Sequence, residues 1–375
     1  TCSPAVANMC LQMTADDCED EQVKLLVKKT FYCDDYYGSF DDAEEACSAS
    51  SKVKSTVKKG GFELEKFISN CPKALEGIEE KALSPAVKEL KNFIIDGTSA
   101  AKSKALGVVW NLGEDCFQLS SRKLDQKFNN LAQFLSILAS VFDPLGFFAP
   151  YVFAGKLLMA EVWRALGNWK TAIPTELHAT CEQWVLGLTK LADLQVNRWY
   201  GGRIGQEMWL HVFSDASKDG YGAVAYLRFL DGETIKVAFV AAKNRVAPSK
   251  VQSIPRLELL GVQLGFRLAR TIMECMFRGK ITRLTMWTDS SVVEGQIKKL
   301  ASSIKDVFVA NRISEIHQHM DSQLFLENKR EIRHVPSKQN AADAMTRAMD
   351  AQEFIDHFPV WIGGPAFLQK PEEEW

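Results

Sequence analysis

MWLHVFSDASKDGYGAVAYL, residues 208–227, is the stretch that decides the fold of this chain. Its first apolar run predicts a strand that is buried on both faces and that ends at Asp215. Residues 220–222, Gly-Tyr-Gly, predict a turn, and residues 222–227 predict a second strand after it. A third strand is predicted over residues 235–241. We therefore expect an antiparallel meander with a carboxylate at its first turn.

A long helix follows the meander. SIPRLELLGVQLGFRLARTIMECMFRG, residues 253–279, has apolar residues at every third or fourth position, which is typical of a helix with one face on a core. Glu258 lies near the start of this helix. Gly261 and Gly265 continue the side of the helix that carries Glu258. Since glycine costs roughly 1 kcal/mol relative to alanine inside a helix, the pair predicts a close approach of backbone or ligand.

Two more acids follow predicted strands. ITRLTMWTDSS, residues 281–291, predicts a strand that ends at Asp289, with a short helix after it. EIRHVPSKQNAADAMTRAM, residues 331–349, predicts a strand, a polar loop and a helix with Asp343 in its first turn. This order of elements is that of an α/β domain in which a meander leads into parallel crossovers. Ligands of such sheets lie beyond the carboxyl ends of the strands, where we expect Asp215 and Asp289 to meet.

Each of these acids alone has an ordinary structural interpretation. Asp215 and Asp289 could be turn or N-cap residues, Asp343 could complement a helix dipole, and Glu258 could be a solvated helix residue. Four carboxylates at one edge, however, would repel one another unless a cation neutralised them. Mg²⁺ prefers oxygen ligands, and two such ions about 4 Å apart can assist phosphodiester hydrolysis. The four acids together therefore predict a site for two Mg²⁺ ions, with Mn²⁺ as the alternative metal.

Five motifs between residues 214 and 347 resemble, in order and spacing, the ribonuclease H domain of Bel/Pao-type LTR retrotransposon polyproteins. They are SDASKDGYGAV, IPRLELLG, WTDSSVV, FVANRISEI and RHVPSKQNAADAMTR. The resemblance implies a ribonuclease H-like mixed five-stranded sheet with flanking helices over residues 205–348, with the four acids as catalytic metal ligands. It also implies an endonuclease that hydrolyses the RNA strand of RNA–DNA hybrids. His334 and Asn340 match the loop before the last acid and receive no catalytic role.

The first part of the chain, residues 1–115, resembles the C-terminal half of the reverse transcriptase palm of the same retroelements. TCSPAVANM, FYCDD, GGFELEKFISN and ALGVVWN carry this resemblance. Two short strands are predicted around Asp34 and Asp35, and the resemblance implies that these acids bind metal in nucleotide addition. The family's first catalytic aspartate and its fingers lie upstream of the segment that TCSPAVANM resembles. Because this chain starts too late to contain them, we expect that it is a polyprotein fragment that cannot polymerise DNA by itself.

Helical periodicity predicts several helices within residues 116–204, and the resemblance to the same retroelements implies that they form a thumb or connection. In it, FDPLGFFAPYVFAGKLLMAEVW, residues 142–163, resembles the segment that joins palm to ribonuclease H in Bel/Pao elements. VWIGGPAFLQKPEEEW, residues 360–375, resembles the linker toward an integrase, and its Gly, Pro and Glu content predicts an exposed tail. The resemblance places this tail or linker over residues 349–375. The resemblance thus implies the fingers and the integrase of the same polyprotein as partners, besides nucleic acid, and a role in DNA integration.

Composition is that of an ordinary soluble protein, since 46% of the 375 residues are hydrophobic and 25% are charged. The longest apolar run is interrupted by polar and Pro residues, so neither a membrane span nor a signal peptide is predicted. The nine cysteines show no zinc-binding spacing and predict reduced thiols in an intracellular protein. The resemblance implies a cytoplasmic location, within a virus-like particle. A net charge of −2 requires any nucleic-acid groove to be local. Candidate phosphate contacts are Lys243, Arg245 and Lys250.

Two other functions remain open from the sequence. An aspartic peptidase, a label also used for this Pao-type region, needs an Asp-Thr-Gly or Asp-Ser-Gly loop. Residues 289–291 lack the glycine, and residues 96–98 have the order wrong. A catalytically silent module that keeps the ribonuclease H-like fold and only holds nucleic acid is the other alternative. The presence of all four acids favours the nuclease.

Overall fold

The computed structural model describes residues 3–87, 102–105, 108–119, 126–250, 252–276 and 279–375. The chain forms two compact units. One comprises Thr1–Lys104 and Trp110–Cys116, and the other comprises Ala105–Val109 and Phe117–Trp375. The division near residue 116 lies close to the expected end of the palm-like segment.

Within residues 3–87, 102–105 and 108–119, the N-terminal part of the chain contains three α-helices and several short strands. In chain order they are α1 (Ser3–Asp16), α2 (Glu21–Thr30), β1 (Phe31–Tyr32), β2 (Asp35–Tyr36), α3 (Ala43–Lys59), β3 (Lys102–Ala105), β4 (Val108–Asn111) and β5 (Cys116–Gln118). The two strands around Asp34 are only two residues each, because the preceding residues belong to α2. Asp20 caps that helix, and its carboxylate accepts hydrogen bonds from the backbone N–H groups of Gln22 and Val23.

The rest of the chain alternates helices with longer strands. The first elements are α4 (Leu131–Ser140), α5 (Ala149–Leu166), α6 (Thr175–Leu191) and the short β6 (Gln195–Asn197). The next are β7 (Glu207–Ala216), β8 (Gly220–Asp231), β9 (Thr234–Val246), α7 (Ile254–Cys275), β10 (Lys280–Thr288) and α8 (Ser291–Ile297). The last are α9 (Val307–Met320), α10 (Gln323–Leu326), β11 (Lys329–His334) and α11 (Ala351–Gly363). No helix in the described ranges has the length and apolar character needed to cross a membrane.

Five strands form the central sheet in the spatial order β11-β10-β7-β8-β9. β7, β8 and β9 pair antiparallel, whereas β10 runs parallel to both β7 and β11. A meander on one side and parallel crossovers on the other make this a mixed sheet with flanking helices. The predicted fold class, α/β with a ribonuclease H-like mixed five-stranded sheet, is confirmed.

The two faces of the sheet have different apolar partners. Val212 and Met286 belong to the core that contains residues of α7 and α9. Phe213 and Trp287 lie on the opposite face, in a core shared with α5 and α11, and their rings stack with an interplanar angle of 6°. Both faces are therefore covered, which agrees with the nearly continuous apolar run of β7.

The predicted turn over residues 220–222 is wrong, because β8 already begins at Gly220 and the turn precedes it. The glycines here serve close packing. A Cβ on Gly222 would lie 2.6 Å from the Cβ of Met345, and one on Gly220 would lie 2.6 Å from the ring of Phe153. Sequence alone does not distinguish a glycine that turns the chain from one that admits a neighbour.

The helical segment expected to form a separate thumb or connection shares a hydrophobic core with the sheet. The carbonyl of Leu145 accepts a hydrogen bond from the backbone N–H of Ala242 on the edge strand β9, at 2.8 Å. Gly146 follows at φ +80°, and a Cβ there would lie 2.3 Å from the carbonyl oxygen of Ala242. Only glycine permits this conformation and approach together. Residues 142–163 thus join the edge of the sheet and do not form an independent layer.

The expectation of an exposed tail over residues 349–375 is also wrong. Trp361 of α11 is buried and its indole donates to the carbonyl of Phe147 at 2.8 Å. Beyond α11, the Arg228 guanidinium donates to the carbonyls of Leu368 and Lys370 at 2.9 and 3.0 Å. The segment packs because its apolar and carbonyl groups find partners on the sheet.

Candidate active site

Asp215 and Asp289 lie side by side at the carboxyl ends of β7 and β10. Ser214 pairs with Thr288 across these parallel strands, so the two aspartates occupy equivalent positions one residue further on. Neighbouring strands are about 4.8 Å apart, and equivalent residues of parallel strands face the same side. The sheet therefore brings these two carboxylates together, as the sequence predicts.

Glu258 reaches this edge from the first turns of α7. One turn further on, Gly261 packs on β7 so closely that a Cβ there would lie 2.9 Å from the backbone oxygen of Asp215. The predicted close approach at this glycine is confirmed. The Ser290 hydroxyl, directly after Asp289, donates a hydrogen bond to Oε2 of Glu258. Glu258 is thus tied to the strand end that carries Asp289.

Asp343 is positioned by the loop that follows β11. The Asn340 side chain donates to the carbonyl of Ser214 at 3.0 Å, and its Oδ1 accepts from the backbone N–H of Ala342 at 3.1 Å. Asn340 thereby caps a 3₁₀-helix, Ala341–Met345, and anchors it to the end of β7. The predicted helix start is confirmed, as a 3₁₀-helix rather than an α-helix. Asn340 has a positioning role, whereas His334 is exposed at the end of β11.

Electrostatics show that neighbouring acids act on Asp215 and Asp343. Burial raises the pKa of Asp215 to about 6, and the nearby charges of Asp289 and Asp343 add to that rise. Burial also raises the pKa of Asp343, and Asp289 contributes to this as well. Hydrogen bonding from Thr346 to Asp215 and the charge of Arg347 near Asp343 act in the opposite direction. Repulsion of this kind is expected where several carboxylates lie close together.

All four side chains are carboxylates, and oxygen ligands of this kind fit a hard divalent cation. Within the described ranges, no three His, Cys, Asp or Glu side chains converge at coordinating distance. Instead, protein groups hold the carboxylate oxygens. Thr346 donates to Asp215, Ser290 donates to Glu258, Ser337 donates to Asp289 at 2.6 Å, and Arg347 pairs with Asp343 at 2.8 Å. The carboxylate oxygens suit a divalent cation as ligands. The hydroxyls and the guanidinium that bond to them occupy lone pairs that such a cation would use.

Comparison with protein families agrees with this arrangement. Residues 132–290 match the family described as the Pao retrotransposon-like RNaseH-like domain. The resemblance to the Bel/Pao ribonuclease H region is thereby confirmed. We refer to residues 132–290 as the Pao-type segment; it includes Asp215, Glu258 and Asp289, and it ends before Asp343. The description of this family is that of a ribonuclease H-like domain and not of a peptidase.

Solved structures with a similar chain path include a foamy viral protease-reverse transcriptase in complex with double-stranded DNA. It is 13% identical with a TM-score of 0.46, and the match covers 89% of this chain and 49% of that one. Ribonuclease H1 of the archaeon Halobacterium salinarum is 14% identical with a TM-score of 0.25, over 40% of this chain and 98% of that one. The chain thus spans about half of the foamy viral chain. No curated protein matches it.

Basic side chains flank the acids of the Pao-type segment. Asn244 of β9 is level with Asp215, because both are paired with Gly222 of β8. Two strand spacings separate them, about 10 Å. The predicted phosphate contacts Lys243 and Arg245 are exposed on either side of Asn244. Lys250 is exposed in the loop before α7. A groove of about 310 Å³ between α7 and α9 is lined by residues that include Tyr221, Arg245, Arg267, Arg312 and Glu315.

Asp34 and Asp35 belong to the other unit and lie in the β1–β2 hairpin. Tyr32 pairs with Asp35, which leaves Cys33 and Asp34 as the two-residue turn. Both aspartates are exposed, and the Tyr37 hydroxyl donates to Oδ2 of Asp35 at 3.2 Å. The predicted hairpin is present, but the predicted turn pair Asp34-Asp35 is wrong by one residue, because Asp35 already belongs to β2. Metal binding by these two acids stays a prediction. Residues 96–98, weighed above for a peptidase loop, lie outside the described residues.

Four groups around the acids were not identified from the sequence. They are the hydroxyls of Ser290, Ser337 and Thr346 and the guanidinium of Arg347. A local signal exists for Arg347, which stands four residues after Asp343, the spacing of a helical ion pair. Ser290 follows Asp289 directly, but the acid to which it donates, Glu258, is 32 residues away in the chain. The other hydroxyls reach acids 48 and 131 residues away in the chain. Only the fold brings those together.

Proposed function

We propose that the sheet domain of this chain is a divalent-metal-dependent ribonuclease H that hydrolyses the RNA strand of RNA–DNA hybrids. The observation that carries the proposal is the equivalent position of Asp215 and Asp289 at paired strand ends. Glu258 and Asp343 are held against the same edge by Gly261 and Asn340. A structural module has no need of this arrangement, because burial and the neighbouring charges of Asp289 and Asp343 raise the pKa of Asp215.

In this proposal the four carboxylates would hold two Mg²⁺ ions at the sheet edge. When bound, such ions supply an activated water and stabilise the leaving oxygen of the phosphodiester. Asp215 and Asp289 lie closest in the sheet, so we assign both to the ions, with Glu258 on one side and Asp343 on the other. The hydroxyls of Ser290, Ser337 and Thr346 orient these carboxylates, as hydrogen-bond donors to metal ligands commonly do.

The hybrid would be bound through its backbone and shape rather than through its bases. Ribonucleotide strands differ from DNA in the 2′-hydroxyl and in the wide, shallow minor groove. Lys243 and Arg245 are the neighbours of Asn244, whose strand position is level with Asp215 and two strand spacings, about 10 Å, away from it. Contacts from such side chains to phosphates position the duplex and carry no sequence information. We therefore expect cleavage that depends on the sugar and hardly on base sequence.

Hydrolysis of a labelled RNA–DNA hybrid tests the proposal directly. We expect cleavage of the RNA strand in Mg²⁺ or Mn²⁺, none of the DNA strand, and loss of cleavage with a chelator. Asp289→Asn should reduce cleavage at least about 100-fold, since even partners of metal ligands cost 10- to 100-fold. The fold should persist, because asparagine can still accept the hydrogen bond from Ser337.

Asp231→Asn is the matched control for this variant. Asp231 is exposed at the end of β8, at the opposite end of the sheet from Asp215, and its replacement changes the net charge by the same amount. Cleavage should be unchanged in this control. If Asp289→Asn cleaves the hybrid as fast as the control does, the assignment of these acids is wrong.

For the N-terminal unit we propose only a palm-like role of the β1–β2 hairpin in a longer retroelement polyprotein. Asp34 and Asp35 would bind metal there together with groups from other parts of that polyprotein. We expect no primer extension by this chain alone. Incorporation of nucleotides on a primed template would contradict this expectation.

A further inference from the structure

Arg347 holds Asp343 in a way that differs from the other three acids. Its Nη2 lies 2.8 Å from Oδ1 of Asp343, four residues earlier in the chain. Asp215, Glu258 and Asp289 accept hydrogen bonds from neutral hydroxyls, as described above. The partner of Asp343 is a cation. It offsets part of the rise that burial and Asp289 cause in the pKa of Asp343.

A guanidinium and a divalent cation cannot both use this carboxylate freely, because they need the same oxygens and repel each other. The ion pair is also easy to break. The Arg347 side chain is 68% exposed and that of Asp343 is 35% exposed. Pairs this exposed change an equilibrium by no more than about fivefold. Arg347 can therefore give way to a bound cation at small cost.

A cavity beside Asp343 can accommodate the Arg347 side chain once the ion pair is broken. Arg347 and Asp343 both line a cavity of about 510 Å³ between the loop after β11 and α11. Lys338 and His357 line the same cavity, with Trp361 and Phe367 among its apolar residues. Once a cation has taken Asp343, the cavity presents the two positive side chains of Arg347 and Lys338. An anionic group of a substrate fits there, and in a nucleic acid that group is a backbone phosphate.

We propose that Arg347 is an exchange residue that couples the two ligands of this site. Without a divalent cation it pairs with Asp343. When a cation takes Asp343, Arg347 moves to a backbone phosphate of the hybrid at the mouth of this cavity. The inference rests on the proposed function, because it requires both a metal and a hybrid. By linkage, cation and hybrid must then strengthen each other's binding by the same factor.

The test uses binding measurements, so that it does not depend on activity. Mg²⁺ binding is followed by calorimetry without nucleic acid. Hybrid binding is followed by fluorescence anisotropy, with and without Mg²⁺, on a labelled hybrid whose RNA strand is 2′-O-methylated to prevent cleavage. The variants are Arg347→Ala and, as control, Arg270→Ala. Arg270 forms an equally spaced surface pair with Glu274 at 2.7 Å, with side chains 54% and 49% exposed. It lies about 18 Å along α7 from Glu258.

Arg347→Ala should bind Mg²⁺ about two- to fivefold more tightly than the wild type, because the competing cation is gone. In Mg²⁺ it should bind the hybrid about two- to fivefold more weakly, and Mg²⁺ should enhance hybrid binding less than in the wild type. Arg270→Ala should match the wild type in all three measurements. A general effect of net charge would instead appear equally in both variants.

Two results would overturn the inference and are distinguishable. Equal Mg²⁺ affinity in the wild type and in Arg347→Ala would show that Arg347 does not compete for Asp343, and would leave the proposed nuclease intact. Absence of Mg²⁺ binding by the wild type would overturn the proposed function and this inference with it. Arg347→Gln, which keeps the side-chain length, should behave like the alanine variant if the charge is the cause.

Discussion

Gly261 provides a sharp test of how the site is assembled, through the variant Gly261→Ala. A Cβ at this position would lie 2.9 Å from the backbone oxygen of Asp215, closer than real Cβ atoms come to other atoms. A carbon and a carbonyl oxygen prefer about 3.3–3.6 Å. The helix must therefore move away from β7 by roughly 0.4–0.7 Å. That displacement would carry Glu258, one turn away, off its position beside the strand ends.

Stability should change little in this variant, because two effects oppose each other. Alanine gains about 1 kcal/mol over glycine in a helix interior, and overpacking costs about 1–3 kcal/mol. The net loss should be about 0–2 kcal/mol. Catalysis is more sensitive to position, since a shift of about 1 Å can cost 100-fold. For about half that shift we expect roughly a tenfold loss of hybrid cleavage.

Gly265→Ala is the matched control, one turn further along α7. There a new Cβ would meet the terminal methyl of Met286 at 2.8 Å, and this flexible end can move aside. The same propensity gain applies, so we expect stability equal to or above that of the wild type, with normal cleavage. Cleavage rates and urea denaturation of both variants measure the difference. If the two variants cleave equally well, the backbone contact at Gly261 does not position Glu258.

Two further predictions concern charge. The pKa of Asp215 is about 6 in the folded state and 3.8 ordinarily, so the free energy of unfolding of the metal-free protein should fall as pH rises from about 4 to 6. Asp215→Asn should reduce this fall, which denaturation at several pH values measures. An unchanged pH profile in the variant would contradict the prediction. Glu372, whose pKa is lowered from 4.5 to about 2 by Arg283 and Arg333, should contribute stability above pH 4.5 that is lost toward pH 2. Glu372→Gln should cost about 1 kcal/mol at pH 7 and little near pH 2, whereas an equal loss at both pH values would mean that charge is not the cause.

The strand ends and their acids could be predicted because the signal is local. An apolar run that stops at Asp215 or Asp289 marks a strand end, and parallel strands place such ends on one edge. The glycines were harder to interpret. Gly220 and Gly222 have the spacing that is typical of a turn, yet they lie in β8. Their lack of a side chain allows close packing of residues from distant parts of the chain. Gly261, in a helix where no turn is expected, was interpreted correctly as a point of close approach.

The C-terminal residues could not be placed from composition. Residues 365–375 are rich in Pro and Glu, which is typical of an exposed linker. Their partners lie far away in sequence, since Glu372 pairs with Arg283 and Arg333, 89 and 39 residues earlier. The sequence around Arg283 or Arg333 does not indicate that Glu372 is the partner. Trp375 likewise packs against Trp287, with ring centroids 5.8 Å apart.

The pKa values of two groups of carboxylates are shifted in opposite directions, and this difference coincides with the candidate site. Glu372 sits beside Arg283 and Arg333, and its pKa is lowered because the chain supplies positive charge for it. Burial raises the pKa values of Asp215 and Asp343, and neighbouring acids add to the rise, although Thr346 and Arg347 oppose it. The arginines of the chain thus neutralise Glu372, whereas the acids at the candidate site have less positive charge around them. That shortage lies at the carboxyl ends of the strands, where the proposed cations would bind and would add most to stability.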